Sequence, residues 1–171
     1  MEKALLLSIE RCVGCGACVV ACMDQNDIFP EHGDPAFRRI YQVEEGDYPN
    51  TVIRYLSVGC NHCEDTPCIA GCPTGAISKD PETHAVIVDQ DICIGCHSCA
   101  LACPFGVPRY NTDDKMFKCI LCNDRVKAGL KPACVRVCPF GALSFEVPNQ
   151  TQGDKELGYV AGIVGALHKT V

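Results

Sequence analysis

The sequence predicts an α+β fold of short strands, short helices and many loops, built as two small modules that cysteines hold together. Three observations predict it. Sixteen of the 171 residues are cysteine, while the chain has only 6 Phe, 5 Tyr and no Trp, so the apolar core is thin and something else must staple it. Fifteen Gly and 11 Pro break the chain into short segments. The cysteines fall into four runs of four with none left over, and short apolar stretches bracket the runs.

In chain order, Ala4–Ile9 reads as a strand entering the first run, Cys12-x2-Cys15-x2-Cys18-x3-Cys22. Arg38–Asn50 reads as a strand and then a polar loop. Thr51–Val58 is a strand entering the second run, Cys60-x2-Cys63-x4-Cys68-x3-Cys72-Pro73. Ala76–Ser78, the turn KDPETH and Ala85–Gln90 read as a hairpin leading to the third run, Cys93-x2-Cys96-x2-Cys99-x3-Cys103-Pro104. The fourth run, Cys119-x2-Cys122-x11-Cys134-x3-Cys138-Pro139, leads into a strand over Ala142–Val147. Short helices are expected after Cys18, Pro73, Pro104 and Pro139, because proline suits a first helical position.

Composition and charge exclude several function classes. The net charge is −6, with no Lys/Arg block, which excludes nucleic acid as a partner. No segment approaches the ~20 apolar residues of a bilayer-spanning helix, so no direct membrane span is expected. The opening MEKALLLSIERCVGC is no signal peptide: its apolar run Ala4–Leu7 is short, and Glu10 and Arg11 follow at once. That predicts a cytoplasmic protein, or one that is membrane-associated or exported together with a partner, and it argues against a disulfide framework. There is no nucleophile–base set, flavin fingerprint or open metal site, so a non-catalytic protein is expected, with no catalytic residues.

The cysteine spacing points to iron–sulfur chemistry. A cubane [4Fe–4S] cluster needs one thiolate at each of four irons. Three cysteines at x2 spacing wrap three corners, and in C-x2-C-x2-C-x3-C-P runs the fourth cysteine ligates the other cluster of a pair. Two runs then make one ferredoxin-like bis-[4Fe–4S] module, and four runs make two modules with four [4Fe–4S] clusters. Structural zinc wants two C-x2-C pairs and leaves the third and fourth cysteine of each run without a role. The segment Cys93-Ile94-Gly95-Cys96-His97 also matches the C-x-x-C-H attachment site of a c-type haem, but a haem there would orphan Cys72, Cys99 and Cys103. His97 and His62 are therefore read as loop residues. The hairpin between the second and third runs favours their pairing, which leaves the first with the fourth; first with second stays conceivable from sequence.

Gly14, Gly16 and Gly95 lie inside the runs, where the backbone must approach closely. Arg109, Lys118, Arg125, Lys127, Lys131 and Arg136 lie near the third and fourth runs, where they would offset cluster charge, dock a partner or face solvent.

The segments RCVGCGACVVACMD, FRRIY, VGCNHCEDTPC, DICIGCHSCALACPFGVPRYN and KCILCNDRVKAGLKPACVRVCPFGAL resemble the iron–sulfur electron-transfer subunits of the dimethyl sulfoxide reductase family of molybdopterin oxidoreductases. The likeness covers nearly all of residues 5–145, and the x11 spacing of the fourth run is its most specific mark. It implies particular ligand sets: Cys12, Cys15 and Cys18 with Cys138; Cys119, Cys122 and Cys134 with Cys22; Cys60, Cys63 and Cys68 with Cys103; Cys93, Cys96 and Cys99 with Cys72. It implies residues 1–42 plus 105–150 as one module, 43–104 as the other, and 151–171 as a tail that could dock a partner. The implied partner is a large molybdopterin or tungstopterin catalytic subunit, with a membrane anchor or flavin subunit as a further one. The alternative is a soluble polyferredoxin or filament-forming carrier serving an aldehyde oxidoreductase, carbon monoxide dehydrogenase or hydrogenase. Two departures stand out: Cys22 is followed by Met23 rather than proline, and the chain lacks the longer C-terminal extension of many relatives.

Overall fold

The computed structural model describes residues 3–147; the tail 151–171, expected as a docking segment, lies outside them. The described part is α+β, with short strands and helices among many loops. Strand β1 (Ala4–Leu7) pairs antiparallel with the last strand, β8 (Leu143–Glu146), in the register Ala4↔Glu146 to Leu7↔Leu143. This ladder brings the start of the first run to the end of the fourth. Strands β2 (Arg39–Glu45) and β3 (Val52–Val58) form a hairpin whose polar turn carries Gly46 at φ 86°. Strands β4 (Ile77–Lys79) and β5 (Val86–Val88) form the hairpin expected between the second and third runs. The pair β6 (Arg109–Tyr110) and β7 (Met116–Phe117) is too short to leave a period in the sequence.

In the runs that end in Cys-Pro the helices lie before the proline, not after Pro73, Pro104 and Pro139 as expected; the helix expected at Cys18 is present. Helix α1 spans Ala17–Gln25, α2 Pro67–Ala70, α3 Ser98–Ala102, α4 Asn123–Lys127 and α5 Ala133–Val137. The residue before a proline is pushed out of the helical region. Cys103 and Cys138 accordingly close α3 and α5 in extended conformation, with ψ 113° and 109°. The prolines then open β-turns, Cys-Pro-x-Gly: the amides of Gly75, Gly106 and Gly141 donate to the carbonyls of Cys72, Cys103 and Cys138 at 3.2–3.3 Å. Proline at the second turn position and glycine at the fourth is the favoured chemistry of that turn. Met23 stands where the other runs have proline, so α1 continues past Cys22 and reaches nine residues.

The packing follows the same grouping. Helix α1 lies against α5, and α2 against α3. Buried Cys18, Cys134 and Leu143 form one core with Leu5, Leu7, Ile40 and Val135. Buried Ile77, Val86, Cys99 and Met116 form the other with Ile69, Val88 and Tyr110. Cysteines are part of both cores. The expected boundary at 42/43 falls inside β2, and Met116 of β7 packs with Ile77 and Val86.

A polar staple ties the β4–β5 turn to α4. The Asp80 carboxylate accepts from the amides of Glu82 and Thr83 at 3.0 Å and from Asn123 Nδ2 at 3.1 Å. The Lys127 ammonium lies 2.6 Å away. The Lys127 bond, followed by these donors, holds the Asp80 carboxyl well below the usual carboxylate range. A lowered folded value adds stability in full above the ordinary aspartate pKa of about 3.9 and loses it as pH falls below that. Asp80→Asn is therefore expected to lower the denaturation midpoint at pH 7, with the gap to the wild type closing below about pH 4. An equal gap at both pH values would count against it.

Candidate metal centre

Each run begins the same way. The second residue after its first cysteine takes the left-handed backbone conformation: Gly14 (φ 69°), His62 (φ 47°), Gly95 (φ 67°) and Leu121 (φ 59°). Alternating handedness turns successive amides to one side and makes a concavity for negative charge. Two of these amides reach a cysteine sulfur directly: His62 N–H to Cys60 Sγ at 3.5 Å and Leu121 N–H to Cys119 Sγ at 3.4 Å.

The structure brings cysteines of different runs together. Cys12, Cys15, Cys18 and Cys138 line one small pocket. Cys72, Cys93, Cys96 and Cys99 line another. Cys22, on α1, faces the fourth run, where the charges of Cys119, Cys134 and Cys122 act on it. Cys68 feels Cys103, and Cys60 feels Cys68. In each grouping a cysteine from one run lies with cysteines of its partner run.

Their electrostatics separate buried from rim positions. Burial first, then the neighbouring Cys119 and Cys134, pushes the Cys22 thiol far up. Burial pushes Cys60 and Cys134 up to about 11, against the lowering pull of Lys118 on Cys60 and of Arg38 on Cys134. For Cys138, burial raises the thiol, but the amides of Leu143, Ala142, Phe140 and Gly141 outweigh it and leave it lowered. Cys72 behaves alike, with burial outweighed by the Thr74 hydroxyl and the amides of the turn after Pro73. Thiols crowded this way keep their protons unless a cation replaces them, and coordination to a metal deprotonates a thiol outright.

The donor sets fit a sulfide-rich cluster. Among the described residues no three His, Cys, Asp or Glu side chains are gathered tightly enough for a single ion; in two of the sets the four cysteines line a pocket instead. Hydroxyls flank the thiols: Ser57 Oγ is 3.3 Å from Cys18 Sγ, Tyr110 Oη 3.2 Å from Cys99 Sγ, and Ser98 Oγ 3.5 Å from Cys96 Sγ. His62 accepts the Val86 N–H on Nδ1 at 2.9 Å, which puts its own proton on Nε2. Burial lowers its pKa to about 3, so it stays neutral. That buried Nε2–H has no partner among the protein atoms, and a sulfide is an acceptor of the kind it lacks.

The structure also accounts for His97. It stacks on Tyr110 with ring centroids 3.6 Å apart, and its Nε2 lies 3.4 Å from Asp114 Oδ1. It opens α3 at φ 62°, the place that Gly16 fills for α1. Of the basic residues singled out in the sequence, Lys118 is buried and Lys127 binds Asp80, so Lys118 is no surface contact for a partner. Arg38, Ser57 and Tyr110 escape the motif because they lie outside the runs, Ser57 and Tyr110 on strands and Arg38 just before β2. The only sequence signal for Arg38 is its place in FRRIY.

Residues 51–148 match one family described as a 4Fe-4S dicluster domain, and residues 11–76 match a second of the same description. One of the chains of the anaerobic dimethyl sulfoxide reductase of Escherichia coli strain K12 is 48% identical over 153 residues, covering 84% of this chain and 73% of the relative. One of the subunits of the sulfite dehydrogenase of Allochromatium vinosum is 40% identical, with 84% and 68% covered. The iron-sulfur subunit of the nitrate-inducible formate dehydrogenase of Escherichia coli strain K12 is 38% identical, with 84% and 54% covered.

Proposed function

The chain belongs to the iron–sulfur electron-transfer subunits of the molybdopterin oxidoreductases, and we propose that its sixteen cysteines hold four [4Fe–4S] clusters and relay electrons between a catalytic subunit and a second redox partner. The ligand sets are Cys12, Cys15, Cys18, Cys138; Cys22, Cys119, Cys122, Cys134; Cys60, Cys63, Cys68, Cys103; and Cys72, Cys93, Cys96, Cys99. The observation that carries this reading is the meeting of cysteines from partner runs, clearest where Cys138 and Cys72 complete the walls of two cavities.

Each cluster, when bound, supplies a one-electron couple whose potential the surrounding charge and hydrogen bonds set. The chain's own residues do the rest. The left-handed residues aim amides at the thiolates, the Cys-Pro-x-Gly turns add more amides, and Ser57, Ser98 and Tyr110 add hydroxyls. Leu7, Ile40 and Leu143 beside the first set, and Ile77, Val88 and Met116 beside the last, give each pocket an apolar wall, while Cys15 and Cys96 stay exposed at the rim.

Residues 1–42 plus 105–150 and 43–104 are the two proposed halves, with the β2–β3 hairpin lying across the first boundary. The catalytic partner is a molybdopterin or tungstopterin chain, and the protein itself does no bond chemistry. A membrane anchor or flavin subunit would take the far end of the wire. No helix among the described residues is long and apolar enough to cross a membrane, so the chain would sit where its catalytic partner sits, in the cytoplasm or exported with it. The test is iron and acid-labile sulfide on anaerobically purified protein. About 16 of each per chain is the expected result; zinc, or iron without sulfide, would overturn the assignment.

A further inference from the structure

Two cations are buried among the described residues, Arg38 at 4% and Lys118 at 3% exposure. Among the described residues neither forms an ion pair with a carboxylate. A buried charge without a countercharge is costly, and proteins seldom keep one. Their surroundings show what balances them.

Arg38 Nη1 donates to the Ser57 carbonyl at 3.1 Å and to the Ser57 hydroxyl at 3.0 Å. That hydroxyl is the group 3.3 Å from Cys18 Sγ. The thiols whose charge, once a bound cluster deprotonates them, would act on the guanidinium are Cys134, Cys119, Cys18 and Cys22, which belong to two ligand sets. Lys118 Nζ donates to the carbonyls of Val86 and, at 3.0 Å, Cys119. Its charge acts on Cys60 and Cys68, while Cys60 in turn feels Cys119. Lys118 thus stands where the set on the fourth run meets the set on the second. Carbonyl and hydroxyl dipoles solvate these cations without neutralising them.

We propose that Arg38 and Lys118 are the fixed countercharges of two successive junctions, of three, in the electron path. Arg38 serves the Cys12/Cys15/Cys18/Cys138 and Cys22/Cys119/Cys122/Cys134 sets; Lys118 serves the latter and the Cys60/Cys63/Cys68/Cys103 set. The inference rests on the ligand assignment above. A thiolate-bound cluster gains one negative charge on reduction. A cation held nearby in a low-dielectric interior therefore favours the reduced form and raises the potential. The set Cys72/Cys93/Cys96/Cys99 lies at neither junction. The cation nearest to it on hydrogen-bond evidence is Lys115, which donates to the Cys93 carbonyl at 2.5 Å and is only half-buried, where solvent screens it.

The experiment is a redox titration followed by electron paramagnetic resonance, on iron-loaded protein purified anaerobically with its partner. Arg38→Gln keeps donors for Ser57 but removes the charge; Lys118→Met removes the charge at similar length. Each is expected to lower two of the four potentials, with one cluster common to both variants. The expected size is about tenfold in the oxidised-to-reduced ratio at fixed potential, about 59 mV for a one-electron couple. Arg38→Lys and Lys118→Arg are expected to keep the wild-type potentials. Unchanged potentials in neutral variants at full iron content would overturn the proposal, and so would an equal shift of all four clusters. If the neutral variants shed iron, the charge-conserving pair decides: wild-type potentials support the proposal, and shifts of that size overturn it. A wild-type chain short of 16 irons would instead sink the ligand assignment.

Discussion

Cys22→Ser is expected to abolish the same cluster signal as Cys119→Ser and to leave intact the signal that Cys12→Ser abolishes. Cys22 lies in the first run, only ten residues after Cys12, so local wiring would predict the opposite. The crossing follows from α1. The helix carries Cys18 and Cys22, both buried, one turn apart, so their side chains leave the same face at different heights. Cys18 lines the cavity shared with Cys12, Cys15 and Cys138, while Cys22 meets the charges of Cys119, Cys134 and Cys122. Helix α5 mirrors this with Cys134, on the helix, and Cys138, just past its end. Loss of one ligand would cost one iron or the whole cluster, so the iron count should fall from about 16 to between about 12 and 15. The same change should lower thermal stability, because α1 and α5 pack against each other and hold the core of Cys18, Cys134 and Leu143. If Cys22→Ser instead removed the signal lost in Cys12→Ser, the crossed scheme would be wrong.

Much of this was legible in the sequence because the cysteine pattern is rigid chemistry. The strands at Ala4–Leu7, Val52–Val58 and Leu143–Glu146 lie where short apolar stretches placed them. Helix positions were not legible from the prolines alone. The proline after the fourth cysteine suits a first helical position, but it also forbids helix at the cysteine before it, and the glycine two residues later makes a turn instead. The partners that surround the cysteine sets were hidden for another reason. Ser57 and Tyr110 lie on strands and Arg38 just before β2, and a contact between positions such as Ser57 and Cys18, 39 residues apart, leaves no spacing to read. His62 reads as a loop residue between two cysteines, and it is one; its buried, unpartnered Nε2–H shows only in three dimensions.

The glycines inside the runs give the second large effect, and the structure separates backbone strain from steric conflict. Gly14, Gly16 and Gly95 all have φ between 67° and 77°. A left-handed residue with a side chain costs about 1–2 kcal/mol, yet His62 and Leu121 occupy the positions equivalent to Gly14 and Gly95 with φ of 47° and 59°. Positive φ alone therefore does not demand glycine here. The space does. A Cβ on Gly95 would lie 2.6 Å from the Asp114 carbonyl oxygen and 2.8 Å from Asp114 Cβ; one on Gly14 would lie 2.4 Å from the Tyr55 ring. A Cβ on Gly16 meets nothing within 4 Å. Gly95→Ala must push the third run away from the Asn111–Lys115 turn, because backbone atoms cannot rotate aside as a flexible side chain can. That turn is itself fixed by Asn111 Oδ1, which accepts from the amides of Asp113 and Lys115, and by Lys115, which holds the Cys93 carbonyl. Gly95→Ala is expected to lose the cluster of Cys72, Cys93, Cys96 and Cys99, read as about four irons per chain. Gly14→Ala is expected to weaken the Cys12, Cys15, Cys18 and Cys138 set. Gly16→Ala is expected to keep all its iron and to lose only about 1–2 kcal/mol of stability, the strain of one left-handed alanine. If Gly16→Ala shed iron as readily as Gly95→Ala, strain rather than collision would be the cause. The left-handed residues would then be holding the amides themselves at the limit of what the runs tolerate.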